Sequence, residues 1–360
     1  MSEMFETVRA FAAKLYSAPA VRPTVGRIPD EQCIPPDGVG REILPDQSYF
    51  TVIVNELFIA IGRLLWATYD PMVIVTVEYM YKGTSLAIPV VIGPGTIKRP
   101  AEQQIPHGIV INDVPIAGPH PYRGGKITIT MLLYKIKHTD YARSFLRFAE
   151  GISKAAGVPA SIDTLEKVGA ALLEGVDELL KMKDNEPIAG HMFAIDDSTR
   201  REFRTGYAVL MSDGEAQLSK MRVNEGRLEA QNGSEYLPYR DGDYVLYSVS
   251  ERSRRGEVGS LPFYSLYEQS LQAAIANDDE SWKRAKASLL SLYGQMVSSP
   301  DLISSEVESL TDEFVTRVLA ARKRGNALAA LSVADKGREA LKRDAMIRQM
   351  NSRIGLLDLT

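Results

Sequence analysis

The spacing of hydrophobic and polar positions changes along the chain, and each spacing predicts a different kind of element. Between residues 73 and 137, runs rich in β-branched and aromatic residues alternate with glycine and proline turns, which is typical of antiparallel strands. From Pro262 onward, apolar residues recur every three or four positions, which predicts amphipathic helices. The chain is therefore predicted to be an α+β protein. It has an antiparallel β-rich core with a helical pair inserted between two β regions, followed by a helical C-terminal region.

The first β region is predicted to form a sheet of about four strands. Its strongest signal is a hairpin, Val73–Tyr81 and Leu86–Ile92, and Gly108–Asn112 and Lys126–Lys137 supply the other two strands. The preceding run, Tyr49–Trp66, is almost uniformly apolar and suits a buried helix or a buried strand. Its length favours a helix.

The second β region is predicted to be a meander because its strands are separated by short turns of the Asp-Gly and Asn-Gly type. Its four strands are Gly206–Met211, Glu215–Val223, Arg227–Gln231 and Asp243–Glu251. The pattern leaves open whether these strands extend the first sheet or form a separate one. Between the two β regions, apolar stripes after Thr139 and after Asp163 predict the helical pair.

Three domains are predicted. Residues 1–47 form an N-terminal helix and a proline-rich arm, residues 48–258 the α+β core, and residues 259–360 the helical C-terminal region. Proline fixes φ and removes backbone donors, so the arm is expected to be extended. Such an arm either reaches towards a partner or lies as an ordered strap on its own domain, and both interpretations stay open.

Composition and charge indicate a cellular location but identify no reaction. A formal charge of −4 over 360 residues provides no long-range field for nucleic acid or anionic lipid. The first residues lack the positive charge of a secretory signal, and charged residues interrupt the most apolar stretch, which argues against a membrane span. A single cysteine, Cys33, cannot form an intramolecular disulfide, so a reducing, cytoplasmic location is expected.

Searches for catalytic and metal-binding patterns give no complete motif. Cys33 has no positively charged neighbour in sequence to lower its pKa, and the four histidines lack the spacing of a metal site. Gly125-Lys126 matches the end of a phosphate-binding loop. However, Ile127 occupies the position of the magnesium-binding hydroxyl, and His120 replaces the first glycine. No cofactor or metal is predicted.

Two basic segments supply the candidate binding residues. The first contains Arg123 and Lys126, and the second contains Arg252, Arg254 and Arg255. If the fold brings the segments together, they can hold a phosphate. The C-terminal helices are also basic, but they lack the interleaved aromatic residues that stack on bases, so nucleic acid is not the expected partner.

Six short stretches occur in a characteristic order: Asn55-Glu56-Leu57-Phe58, Tyr69-Asp70-Pro71, Val90–Pro94, Tyr122–Lys126, Asp243–Arg255 and Ser299-Pro300-Asp301. In this order they resemble uncharacterised accessory proteins of bacterial conflict (defence) systems. None is a catalytic signature, so the resemblance transfers no site residue. It implies a bacterial cytoplasmic setting and companions in a defence assembly.

Two function classes follow. The first is a non-catalytic scaffold or accessory subunit that contacts protein partners through the proline-rich arm or the C-terminal helices. The second is a phosphate- or nucleotide-binding protein or enzyme with a site around residues 120–126 and 252–255. The lack of a complete catalytic motif favours the first class, and the second stays open as the alternative.

Overall fold

The computed structural model describes residues 23–60, 69–93, 108–137, 186–195 and 203–327, without 213, 215 and 277. The chain divides into two compact units, Met1–Ser260 and Leu261–Thr360. Unit 1 is rich in strands and unit 2 is helical over its described residues, so the predicted α+β class is confirmed. The predicted N-terminal helix, the predicted helical pair and most of the predicted last helix fall on residues outside the described ranges.

The described part of unit 1 contains strands of 2 to 14 residues. In chain order they are β1 (Thr24–Arg27), β2 (Cys33–Ile34), β3 (Tyr49–Ala60), β4 (Tyr69–Tyr81), β5 (Thr84–Ile92), β6 (Gly108–Pro121), β7 (Ile127–Lys137), β8 (Glu186–Ile195), β9 (Gly206–Met211), β10 (Met221–Asn224), β11 (Arg227–Asn232), β12 (Glu235–Pro238) and β13 (Tyr244–Arg252).

Two large antiparallel sheets share one hydrophobic core. The first has the order β1-β9-β13-β3-β6, and the second has the order β5-β4-β7-β8. Alternate residues along the strands face this core, as the period of two requires. They include Val52 and Val54 of β3, Val73, Val75 and Val77 of β4, Ile127, Ile129, Met131 and Leu133 of β7, and Val245, Tyr247 and Val249 of β13.

A third sheet, of order β12-β11-β10-β2, covers part of the other face of the five-stranded sheet. Its pairs are antiparallel except β10 with β2, which is parallel. Phe58, Tyr244 and Leu246 from the outer face of the large sheet pack with Val223 and Leu228 of the third sheet. This second core gives the described part of unit 1 three sheet layers.

The predicted helix over Tyr49–Trp66 is wrong for the residues that the structure describes, because Tyr49–Ala60 is strand β3. This strand lies between β13 and β6 and has a hydrophobic core on each face, so almost all its side chains are buried. A strand buried on both faces loses the alternation that distinguishes it from a buried helix. The β-branched and aromatic residues of this run were the better guide.

The hairpin is confirmed as β4 and β5, paired from Val73 with Ile92 to Tyr81 with Thr84. Lys82 and Gly83 have φ values of 50° and 76°, which a two-residue hairpin turn requires. The predicted membership of the first sheet is partly wrong. The strand beginning at Gly108 extends to Pro121 and joins the other large sheet, while β8 takes the fourth place.

The second β region does not form one meander. Its first and last strands, β9 and β13, pair with each other in the five-stranded sheet, whereas β10 and β11 form the hairpin of the third sheet. The strand predicted from Glu215 is shorter than expected and begins at Met221. The described part of the proline-rich arm is an ordered strap on unit 1, because β1 pairs with β9 and β2 pairs with β10.

Unit 2 contains helices α1 (Tyr264–Ile275) and α2 (Asp279–Val297), and residues 304–327 are also helical up to the end of the described part. Asp278 begins α2, where its carboxylate accepts a hydrogen bond from the Ser281 amide at 2.7 Å. Tyr267 of α1 stacks on Phe314, with ring centroids 4.2 Å apart. Within the described residues, no helix combines the length and apolar character that crossing a membrane requires.

Candidate anion-binding site

Strand register brings the two basic segments of unit 1 to the same end of the five-stranded sheet. Arg252, the last residue of β13, is paired with Tyr49 at the start of β3. Tyr49 is in turn paired with Pro121 at the end of β6. Beyond these pairs, Arg255 donates a hydrogen bond from Nη1 to the Pro119 carbonyl oxygen at 3.4 Å. Segments more than a hundred residues apart in sequence therefore lie side by side.

A short segment before β3 connects the two basic segments. The Asp46 amide donates to the Tyr122 carbonyl at 2.7 Å, and the Tyr122 amide donates to the Ser48 carbonyl at 3.0 Å. On the other side, the buried hydroxyl of Ser48 donates to Oε1 of Glu251 at 2.7 Å. The Asp46 carboxylate forms an ion pair with Arg123. Arg123 is thus engaged on the β6 side of this segment.

An open pocket of about 420 Å³ lies on the β13 side. Its lining consists of Arg41, Glu251, Arg252, Ser253 and Arg254. All three arginines and Ser253 are exposed to solvent. The carboxylate of Glu251 is the acidic side chain of this lining, and one of its oxygens accepts the hydrogen bond from Ser48. The lining therefore carries an excess of positive charge.

Arg41 reaches the pocket from the proline-rich strap, and its backbone is fixed by Thr205. The Arg41 amide donates to Thr205 Oγ1 at 2.9 Å, and the Thr205 amide donates to the Arg41 carbonyl at 2.8 Å. The Gly40 amide also donates to the Thr205 carbonyl at 3.0 Å. Thr205 is only 1% exposed, so these bonds are shielded from water.

A smaller groove of about 180 Å³ adjoins the pocket and shares Arg41 and Glu251 with it. Its other lining residues are Asp37, Gly38, Val39, Thr205, Gly206, Tyr207, Ser248, Val249 and Ser250. Ser248 and Ser250 alternate with the core-facing Val249, so their side chains lie on the outer face of the sheet. The strap from Asp37 to Arg41 forms the opposite wall.

Only two of the five predicted site residues line the large pocket. Arg252 and Arg254 line the pocket, but Arg123 and Lys126 do not belong to its lining. Arg255 is buried, with 6% exposure, next to His120. The sequence interpretation missed Arg41, because no spacing in the proline-rich arm connects it with residues two hundred positions later. The only available signal was its positive charge.

His120 is a buried neutral imidazole. Its ring stacks on Tyr79, with centroids 4.9 Å apart, and meets Phe50 edge-on. Burial, assisted by the nearby Arg255 guanidinium, lowers the pKa of His120 to about 3. Its Nδ1 accepts no hydrogen bond from the described residues. These contacts assign His120 to the core at the end of β6.

Cys33 and the acidic residues offer little further chemistry in the described ranges. Cys33 is buried, and burial together with Asp30 raises the pKa of its thiol to about 11, the opposite of what a nucleophile needs. No group of three or more potential metal ligands occurs within the ranges that the structure describes. The lining of the large pocket supplies guanidinium donors, one hydroxyl and one carboxylate, which suits the binding of an oxyanion.

Comparison with protein-family models, curated proteins and solved structures found no match to this chain.

Proposed function

We propose that unit 1 binds a ligand carrying a phosphate group through Arg41, Arg252 and Arg254. The observation that supports this proposal is the convergence of three exposed arginines on one open pocket, opposite a single glutamate that is hydrogen-bonded to Ser48. Guanidinium groups form paired hydrogen bonds with phosphate oxygens. The sequence placed a phosphate site at both basic segments. The proposal keeps Arg252 and Arg254 of the second segment and adds Arg41 of the strap.

The expected affinity is modest because the three arginines are exposed. An ion pair between solvent-exposed partners contributes about 0–1 kcal/mol, and salt screens it further. Part of that gain is offset by the loss of ligand freedom on binding. We therefore expect a Kd in the millimolar range at low ionic strength.

Titration calorimetry with inorganic pyrophosphate at low ionic strength tests the proposal. In the Arg252→Ala/Arg254→Ala variant we expect about tenfold weaker binding, since up to about 2 kcal/mol of contacts is removed. Arg123→Ala and Lys126→Ala are matched controls, because they remove basic side chains of the same unit outside the pocket lining. No heat at millimolar pyrophosphate, or an equal loss in the control variants, would overturn the proposal.

A second candidate function is that of a non-catalytic accessory subunit in a bacterial cytoplasmic assembly, with unit 2 as the contact surface. Leu290, Tyr293 and Val297 of α2 are 73%, 46% and 59% exposed. They recur at helical spacing on the side away from the buried Ala285, Leu292 and Met296. An exposed apolar stripe of this kind favours protein contact. The defence setting rests on the loose sequence resemblance alone.

The Leu290→Gln/Val297→Gln variant tests this second candidate. We expect the unchanged chain to self-associate in light scattering or to retain a protein from its host lysate, and the variant to lose that association. Leu237→Gln is the control, because Leu237 is a similarly exposed apolar residue, at 46%, in unit 1. A monomeric wild-type protein that retains nothing, or a variant that behaves like wild type, argues against this function.

A further inference from the structure

We infer that the ligand is a phosphorylated sugar, with its phosphate at the arginine pocket and its sugar ring in the adjoining groove. This inference rests on the proposed function. It adds the chemical class of the ligand. The structural basis is the continuity of the two spaces, which share Arg41 and Glu251.

The two spaces carry different charges. The large pocket has three arginines against one glutamate. The groove has one arginine, Arg41, against two carboxylates, Glu251 and Asp37. A second phosphate extending into the groove would approach the Asp37 carboxylate, which repels it. The arrangement therefore favours a ligand with one anionic end and an uncharged body over a polyphosphate.

The groove lining matches a body that carries hydroxyl groups. Ser248 and Ser250 supply hydroxyls that donate and accept, and Asp37 supplies a carboxylate that accepts from sugar hydroxyls. Tyr207, which is half-buried, also lines the groove. A sugar ring presents hydroxyls around its edge, so it can use these polar groups.

The size of the groove agrees with a single ring. Its volume of about 180 Å³ is close to that of a cavity that holds a single six-membered ring. One sugar ring therefore fits such a space. The strand floor and the Thr205-bonded strap form the walls of this groove.

The test compares ribose 5-phosphate, inorganic phosphate and pyrophosphate by titration calorimetry on the full chain. We expect ribose 5-phosphate to bind at least about tenfold more tightly than inorganic phosphate, because it adds groove contacts worth about 1.4 kcal/mol or more. Equal affinities, or tighter binding of pyrophosphate, would overturn the inference and leave the proposed phosphate site intact. Binding of none of the three would overturn both.

Asp37→Ala separates the groove from the pocket. Asp37 is exposed on the strap, so its replacement should leave the fold intact, which circular dichroism can verify. We expect this variant to weaken ribose 5-phosphate about fivefold or more while inorganic phosphate binds as before or more tightly. Arg254→Ala should weaken both ligands. An equal effect of Asp37→Ala on the two ligands would overturn the placement of the sugar in the groove.

Discussion

The buried carboxylate of Glu56 connects two layers of unit 1 and forms an ion pair with Arg240, and its removal gives a sharp stability prediction. Glu56 lies on the outer face of β3 and is 1% exposed. Its Oε1 accepts from Arg240 Nη2 at 2.8 Å, and its Oε2 accepts from the Leu228 amide of β11 at 2.8 Å. Oε2 therefore holds the third sheet against the five-stranded sheet, and Oε1 holds the loop between β12 and β13 against β3.

The expected cost of Glu56→Gln is about 3 kcal/mol. Removing one partner of a buried ion pair costs roughly 3–5 kcal/mol, because the other charge stays in a poorly solvated site. The Arg240 side chain retains 24% exposure and a hydrogen bond of 2.6 Å to the Tyr239 carbonyl, which places the cost at the low end. The Glu56 carboxylate accepts from two donors, Arg240 and the Leu228 amide. A glutamine has only one acceptor oxygen, so one of these donors would face an N–H group instead.

Urea unfolding followed by β-sheet circular dichroism measures this loss. Asp46→Asn is the matched control, because Asp46 pairs with Arg123 in the same unit but is 56% exposed, and such pairs contribute about 0–1 kcal/mol. The further replacement Arg240→Met in the Glu56→Gln background should recover part of the lost stability, since it removes the unpaired charge. If Glu56→Gln shifts the midpoint no more than Asp46→Asn does, the Glu56 carboxylate does not join the layers energetically.

Three other predictions concern single positions of unit 1. The pKa of His120 is depressed to about 3 in the folded state against 6.5 in the unfolded chain, so protons bind only the unfolded state between these values. Its contribution is complete above pH 6.5 and falls by about 3 kcal/mol on acidification to about pH 4.5, and His120→Phe should remove this slope from urea titrations. Cys33 should resist a thiol reagent at pH 8 until denaturant is added, because its pKa is about 11; rapid labelling of the native protein would contradict its burial. Gly118→Ala should destabilise by clearly more than the ~1 kcal/mol expected for Gly83→Ala, because the new Cβ would lie 2.3 Å from the Phe50 carbonyl oxygen while Gly83 has open space; equal midpoints would refute the clash.

Sequence reasoning predicted elements well where each strand had one polar face or a glycine turn. The β4–β5 hairpin was predicted from two β-branched and aromatic runs joined by a turn at residues 82–85. In the structure, Lys82 and Gly83 of that turn adopt positive φ. It failed at β3, which is covered on both faces and therefore shows no alternation. It also failed to assign β6 to its sheet, because strand pairing over long sequence separations leaves no local pattern.

The difference between local patterns and long-range pairing also explains which residues of the candidate site could be predicted. Arg252 and Arg254 were found as a local cluster, but their pocket depends on the β13–β3 register and on the bonds between the strap and Thr205. A shift of one residue in that register would turn Arg252 towards the core shared by the two large sheets, where its charge would be buried without a partner. The register is instead fixed by the alternating core residues Val245, Tyr247 and Val249, whose burial requires the intervening side chains to face outward. The hydrophobic pattern of one strand thus sets the position of the charged residue at its end, and the position of Arg41 follows from a separate set of backbone hydrogen bonds that composition and spacing do not reveal.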